Sequence, residues 1–279
     1  MILIADSGST KTNWYYSNHE HHSKIISTGG INPFFRSTED IIKELKADLI
    51  PKINNTILEI YFYGAGIINE EKGRVVITAL QMLFPSAKVE VQSDLLAAAR
   101  ALFGNKKGIA CILGTGTNSC LYDGKNIVEH IPPLGFILGD EGSGATLGRK
   151  LTSDYFKGIL QENLSQKFQK QFPIKYAEFM ENVYKREKPN KFLAQFVPFI
   201  TENINDKYCS SLVENSFDEF VDRNVKYYTN FNKLEISFIG SVAYFFDKQI
   251  KTVLEKNNLI LGTIIQEPLN ALAHFHINN

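Results

Sequence analysis

Ile2-Leu-Ile-Ala-Asp-Ser-Gly-Ser-Thr10 is an apolar run that ends in an acid and four small residues, and Lys11-Thr-Asn-Trp-Tyr-Tyr16 resumes an extended pattern straight after it. Such a stretch reads as strand, tight turn, strand. The polar segment Asn18–Ser23 and a further run at Lys24–Thr28 extend it to an antiparallel meander of three strands. Outward from there, Ile41, Ile42, Leu45 and Leu49 recur at helical spacing behind Ser37 and Thr38, which predicts a capped helix over Thr38–Leu49. A strand at Glu59–Tyr63, a helix from about Glu70 to Phe84, a strand at Lys88–Gln92 and an alanine-rich helix from about Leu95 to Phe103 follow, giving the order βββαβαβα.

Gly104-Asn-Lys-Lys-Gly108 reads as a joint, because the opening pattern begins again after it. Ile109–Leu113 runs into the turn Gly114-Thr-Gly-Thr117, then come Asn118–Tyr122, Asp123-Gly124 and a third strand at Asn126–Ile131. The arrangement repeats although the letters do not. Gly142 to about Asn230 reads as mostly helical, with Asp154–Phe168 and Tyr176–Tyr184 as two of its segments, before a strand at Glu235–Ile239, a helix near Ser241, a strand at Leu259–Leu261 and a last helix at Pro268–His274. The expected fold class is α/β with two domains. The first spans 1–105 and is joined by the C-terminal helix within 266–279; the second spans 106–265 and carries a mostly helical insertion at about 145–230.

Composition narrows the function. Thirty basic side chains balance thirty acidic ones, so no net field draws the chain to nucleic acid or an anionic membrane, and any anion must be held locally. Cys111, Cys120 and Cys209 form no CxxC pair, which speaks against a disulfide framework or a cysteine-only metal site and for a reducing, cytoplasmic setting. No basic segment followed by an apolar run opens the chain, and no stretch of about 18 apolar residues is present, so neither a signal peptide nor a spanning helix is expected. His19, His21 and His22 lie between two predicted strands without a cysteine partner and read as an exposed turn rather than a metal site.

Several turns carry candidate chemistry. Asp6, Ser7, Gly8, Ser9 and Thr10 follow an apolar strand; small residues leave backbone N–H groups open to a phosphate, the hydroxyls add donors, and Asp6 suits Mg²⁺, directly or through water. A plain hairpin turn has the same letters, and both readings stay open. Gly114, Thr115, Gly116, Thr117 and Asn118 place the same properties at the same point of the second half, and a pair of such loops suits a triphosphate better than either alone. Asp94 stands where a strand gives way to a helix in Gln92-Ser-Asp-Leu95. A carboxylate there can take a proton from an acceptor hydroxyl in phosphoryl transfer, while a helix cap at Ser93 or Asp94 is the plainer account. Asp140 and Glu141 sit between glycines in Gly139-Asp-Glu-Gly-Ser-Gly144, and Asn32 sits in Gly29-Gly-Ile-Asn-Pro33; these polar residues on Gly/Pro loops suit sugar hydroxyls or a turn. Ile239-Gly-Ser-Val-Ala243 passes from strand to helix through Gly240 and Ser241, where a purine can lie against bare backbone.

Taken together, DSGST at 6–10, GGINP at 29–33, SD at 93–94, LGTGTNS at 113–119, GDEGSG at 139–144 and IGSVA at 239–243 resemble the N-acetylglucosamine kinases and the related BadF/BadG/BcrA/BcrD-type ATPases, which include the activators of CoA-ester reductases. The resemblance spans nearly the whole chain. It implies two ribonuclease-H-like domains of the actin-like ATPase fold with the active site in the interdomain cleft, and the cofactors ATP and Mg²⁺. It also implies that Thr10 and Thr115 contact nucleotide phosphates, that Gly240 lies by the adenosine, that Asp94 is the general base, and that Asn32, Thr117, Asn118, Gly135, Asp140 and Glu141 surround the sugar. A homodimer is expected by analogy alone. Where many amino-sugar kinases have a tryptophan between glycines, this chain has Pro133-Leu134-Gly135, so that wall of the sugar site differs. The expected activity is phosphorylation of an amino sugar, foremost N-acetylglucosamine. The competing expectations are a kinase of N-acetylmuramic acid, glucosamine or glucose; a reductase activator, which needs cluster-ligating cysteines; and a sugar sensor without turnover.

Overall fold

The computed structural model describes residues 1–8, 10–17 and 23–277. Ser9, His19, His21 and His22 lie outside the described residues. The chain divides into two compact units, Met1–Asn105 with Gly124–Asn126 and Glu267–Asn279, and Lys106–Asp123 with Ile127–Gln266.

In unit 1, β1 (Ile2–Ser7), β2 (Lys11–Ser17) and β3 (Ser23–Gly29) form the meander, and β4 (Glu59–Gly64) and β5 (Lys88–Ser93) extend β1 on its other side as parallel strands, in the order β3-β2-β1-β4-β5. Strict alternation assigns the two faces. Leu3, Ala5, Ile60 and Phe62 pack with Trp14 under α1 (Thr38–Asp48) and α2 (Glu70–Leu83). Ile2, Ile4 and Tyr63 pack under α3 (Asp94–Phe103) and the C-terminal helix, α13 below, through Ala97, Leu269, Leu272 and Ala273. Asp6 continues the second face and Ser7 the first. Helix α1 begins where the capping pattern predicts: Ser37 accepts from Asp40 N–H at 3.2 Å, and Asp40 returns a bond to the Ser37 backbone.

Unit 2 repeats the topology. β6 (Gly108–Leu113), β7 (Thr117–Tyr122) and β8 (Ile127–His130) are antiparallel neighbours, and β9 (Glu235–Ile239) and β10 (Ile260–Ile265) add parallel strands beside β6. Between β8 and β9 run α4 (Gly135–Leu138), α5 (Gly144–Phe156), α6 (Glu162–Gln171), α7 (Tyr176–Tyr184), α8 (Pro189–Ala194), α9 (Val197–Glu202) and α10 (Lys207–Arg223); α11 (Ser241–Phe245) and α12 (Asp247–Lys256) precede β10, and α13 (Leu269–Ile277) ends the described chain. One core joins Ile109, Cys111, Leu113 and Phe238 of the sheet to Leu147, Phe168, Phe199, Phe217 and Phe220 of the helices.

Three local expectations change. Asp154–Phe168 is not one segment: α5 stops at Phe156, Gly158 turns left-handed at φ 70°, and Ile159 N–H bonds the Asp154 carbonyl at 2.9 Å, a glycine-closed helix end. The strand expected at Leu259–Leu261 is β10, which starts at Ile260 and runs on through Gly262-Thr263 to Ile265. The register shifts between Leu261 and Ile264, and the Ser237 hydroxyl caps the irregularity by accepting from Thr263 N–H at 3.0 Å. Helix α4, absent from the sequence reading, is a single turn started by Leu134 and Gly135, both at positive φ.

Helices α5 and α8 cross at Gly148, where a Cβ would run into the Leu193 carbonyl oxygen. Backbone cannot swing aside as a side-chain tip can, so Gly148→Ala is expected to destabilise unit 2 by about 1–3 kcal/mol, the usual cost of overpacking. The check is the urea midpoint at unchanged m-value.

Candidate active site

Unit 1 gathers acids at the carboxyl ends of its parallel strands, the usual location of ligand sites in such sheets. Asp6 stands one residue from the end of β1, paired with Tyr63 of β4, which pairs with Gln92 of β5; Asp94 follows β5 directly. Ser93 is the N-cap of α3, its hydroxyl accepting from Leu96 N–H at 3.2 Å, so the capping role belongs to Ser93. Burial pushes the Asp94 carboxyl up to about 6 against the pull of the Leu95 and Asp94 backbone N–H groups. Asp6 is pushed from its ordinary 3.8 to about 7, by burial first and then by the charges of Asp94 and Glu267. Glu267, which no motif marks, is the third acid of this group.

The fold opposes ionisation of Asp6. Its contribution to stability is therefore fully present below the unfolded value near 4 and is lost as the pH rises through about 7. Asp6→Asn is expected to melt at a higher temperature than the parent at pH 8 and at the same temperature at pH 4. Equal melting at both values would show that Asp6 is not held back from ionising.

Next to Asp6 the two hydroxyl residues part ways. Thr10 is exposed, available to a ligand. The hydroxyl of Ser7, expected among the phosphate donors, is buried on the α1/α2 face: it accepts from Ile31 N–H at 3.0 Å, donates to the Ile31 carbonyl at 3.1 Å and lies 2.7 Å from the Thr12 hydroxyl. Alternation along β1 turns it inward, so Ser7 tethers the 29–33 loop. Asn32 in that loop accepts from Phe34 N–H at 3.0 Å through its Oδ1, an Asx turn seated over Gly66, whose φ of 85° and lack of a Cβ leave room for it. Gly8 closes the hairpin, its N–H bonding the Lys11 carbonyl at 3.0 Å, yet a Cβ there would meet nothing nearer than 3.8 Å. Packing does not require this glycine; its bareness leaves backbone open above the turn.

In unit 2, Gly114 N–H bonds the Gly116 carbonyl at 3.0 Å, and a Cβ on Gly114 would again meet only open space out to 4.0 Å. The loop is docked onto α5 by Gly144 N–H to Gly114 O at 2.8 Å and Ala145 N–H to Thr115 O at 3.1 Å, so its carbonyls face the helix. Gly240, at φ 118° and ψ 162°, lies against the Leu113 carbonyl. Gly114, Thr115 and Ser241 line one cavity of about 400 Å³ with Gly144, Ala194, Val197, Pro198, Thr201, Glu202, Val242 and Phe245. Its walls are apolar except near the loop and at Thr201-Glu202, a lining suited to a flat base with a polar tail. The α8–α9 contribution lies some 80 residues from the loop in sequence and carries no motif.

Asp140 is buried with its backbone left-handed at φ 55°. It accepts from Thr117 N–H at 3.2 Å through Oδ1, while its backbone carbonyl accepts from Ser143 N–H and the Thr146 hydroxyl. Burial raises its carboxyl first, the charge of Glu141 adds to this, and the bond from Thr117 counters both. Thr117 and Asp140 are thus brought together. Glu141 points elsewhere, pairing with Arg223 at 2.6 Å and accepting from Asn224 at 3.4 Å. Asn118 is likewise engaged, by His130 at 2.8 Å and Ser119 N–H at 3.0 Å. Gly135 is exposed at the start of α4 with φ 72°.

Cys111, Cys120 and Cys209 are all buried and unpaired, and burial drives each thiol up, Cys120 and Cys209 to about 12. Cluster iron needs thiolates, so these three residues do not suit it. Among the described residues no group of three or more His, Cys, Asp or Glu is arranged to hold a metal by itself, and no helix is long and apolar enough to cross a membrane.

No protein-family model matches the chain, and no curated protein matches it either. Among solved structures, a candidate N-acetylglucosamine kinase from Porphyromonas gingivalis is 44% identical over 100% of this chain and 99% of that one, with a TM-score of 0.94. A candidate N-acetylglucosamine kinase from Chromobacterium violaceum shares the fold at 15% identity, 100% and 98% coverage and a TM-score of 0.73. A ROK family glucokinase from Streptomyces griseus, solved with glucose and AMPPNP, shares it at 12% identity, 98% coverage of each chain and a TM-score of 0.55.

Proposed function

From the premise that this chain belongs to the N-acetylglucosamine kinase-like family of sugar kinases, we propose that it transfers the γ-phosphate of ATP to a hydroxyl of an amino sugar in the cytoplasm, N-acetylglucosamine foremost. The observation that carries this is Asp94: an acid at the carboxyl end of a parallel strand, relieved of capping by Ser93 and held at about 6, the range in which a carboxylate is both ionised at neutral pH and basic enough to accept a proton.

In this reading unit 2 supplies the nucleotide site. The apolar cavity takes the adenosine against Gly240 and Ser241, with Gly114 leaving room for the phosphates and Thr115 and Gly116 offering backbone and hydroxyl donors to them. Unit 1 supplies Gly8 and Thr10 toward the phosphates and the base, Asp94. Asn32, Thr117 and Asp140 orient the sugar by hydrogen bonds. Asp94 accepts the hydroxyl proton as the sugar oxygen bonds to the γ-phosphorus, and the bond from that phosphorus to the bridging oxygen breaks to leave ADP. The residues fit Mg²⁺, since Asp6 is an oxygen ligand whose charge the neighbouring acids oppose and a dication relieves. When bound through water by Asp6, Mg²⁺ neutralises charge that builds on the phosphates.

The test is ATP-dependent product formation over a panel of N-acetylglucosamine, N-acetylmuramic acid, glucosamine and glucose, with a no-sugar control. ADP release that requires N-acetylglucosamine supports the reading. Release that requires another of the four keeps the chemistry and changes the sugar; hydrolysis indifferent to every sugar defeats it.

A further inference from the structure

Unit 2 contains a second cavity that the phosphoryl-transfer reading does not use. It has a volume of about 680 Å³, larger than the nucleotide cavity, and lies among α4, α5, α7 and α8. Its floor is aromatic: Phe156 packs edge-on to Tyr176 at 5.6 Å and against Phe179 at 4.9 Å, and Phe179 packs on Phe192 at 5.6 Å. Met180, Val183 and Tyr184 continue that wall along α7, and Phe136 and Ile137 close one end. Ile137 and Tyr184 are 77% and 75% exposed, a large apolar exposure with no role in the core.

The opposite wall has a different chemistry. Arg149 and Ser153 of α5 and Lys157, the residue that caps its end, follow one another at intervals of four residues and all line the cavity, so three donors stand about 6 Å apart along the helix axis. Arg149 and Lys157 are the only charged lining residues. Among the described residues neither has a carboxylate partner, in contrast to Lys150–Glu219, Arg186–Glu181 and Lys256–Asp218 elsewhere in unit 2. The acids of α7, Glu178 and Glu181, do not line the cavity; Glu181 is held by Arg186 at 3.0 Å.

We propose that this groove is a binding site for a small amphipathic carboxylate, whose apolar body lies on the Phe156–Phe179–Met180–Val183 floor and whose anionic head is taken by the Arg149–Ser153–Lys157 row. A volume of 680 Å³ is that of a single small ligand, and a donor row about 12 Å long is too short to seat a partner protein, which needs an interface of roughly 600 Å² or more a side. The site is separate from the nucleotide cavity: α5 and α8 border both, but no residue lines the two together.

Decanoate serves as the probe, with decanol as the neutral control, both titrated into the full chain by calorimetry at low salt. Decanoate is expected to bind one per chain, at least tenfold tighter than decanol. The double variant R149Q/K157Q, whose positions lie outside the kinase machinery, is expected to lose at least tenfold in decanoate affinity while binding decanol and turning over sugar as the parent does. Met180→Lys, placing a charge on the half-buried apolar floor, is expected to abolish binding of both probes without changing the melting temperature by more than a few degrees. Equal affinity for acid and alcohol, undiminished decanoate binding by R149Q/K157Q, no binding up to the solubility limit, or self-association of the chain that R149Q/K157Q or Met180→Lys abolishes would each overturn the proposal, the last in favour of a second copy as occupant.

Discussion

Asp94→Asn is expected to lower turnover by about 10²–10⁴-fold, the contribution of a positioned general base, with ATP affinity and fold retained. The fold survives because the cap of α3 is Ser93, and because burial already favours the uncharged form of residue 94, so a neutral amide costs nothing in solvation. The measurements are kcat by ADP release at saturating sugar, the ATP dissociation constant and a thermal melt. A pH profile adds a second reading. Asp94 and Asp6 are held at about 6 and about 7 and act on each other, so kcat/KM of the parent rises through this range with apparent values that belong to the pair. In Asp94→Asn the rise that remains belongs to Asp6 alone and moves to lower pH, because the charge of Asp94 no longer raises it. Turnover within a few fold of the parent would remove Asp94 from the base role.

Gly240→Ala is expected to be the most damaging single methyl group in the nucleotide site. At φ 118° and ψ 162° the backbone is in a region open almost only to glycine, which costs an L-residue about 1–3 kcal/mol. The added Cβ also points into the carbonyl of Leu113, and the next peptide group begins the Gly114 loop. Strain relieved there displaces the loop that the phosphates need, so stability and affinity fall together. We expect a loss of about 3 kcal/mol in unfolding free energy, combining that backbone cost with an overpacking term, and at least tenfold weaker ATP binding, equivalent to about 1.4 kcal/mol. Sugar binding is the internal control: loss of ATP affinity alone locates the damage at the loop.

The repeated strand-turn-strand opening, the order of strands and helices and the polar turns at strand ends were legible because each depends on residues near one another in sequence. The apolar run from Ile2 into Asp6 and the helical spacing in Thr38–Leu49 are local signals, and both elements form, one ending at Ser7 and the other at Asp48. Ser7 shows a signal present but overlooked: the same alternation that puts Leu3 and Ala5 in the core puts the Ser7 hydroxyl there too. Gly262-Thr263 shows the opposite case, since the acceptor for Thr263 N–H at the irregularity comes from Ser237 on the neighbouring strand.

The sequence by itself determined the α/β class, the two halves of similar arrangement, and the turns at Asp6, Asp94, Gly114, Asp140 and Gly240, because backbone preference and hydrophobic period are properties of short stretches. Tertiary structure alone decided that Glu267 acts on Asp6, that Ala194, Val197 and Glu202 meet the Gly114 loop in one cavity, and that Glu141 turns to Arg223. Those relations join residues far apart along the chain, and no local preference specifies a distance across a packed core. They arise only once burial of the apolar faces has fixed where each element lies.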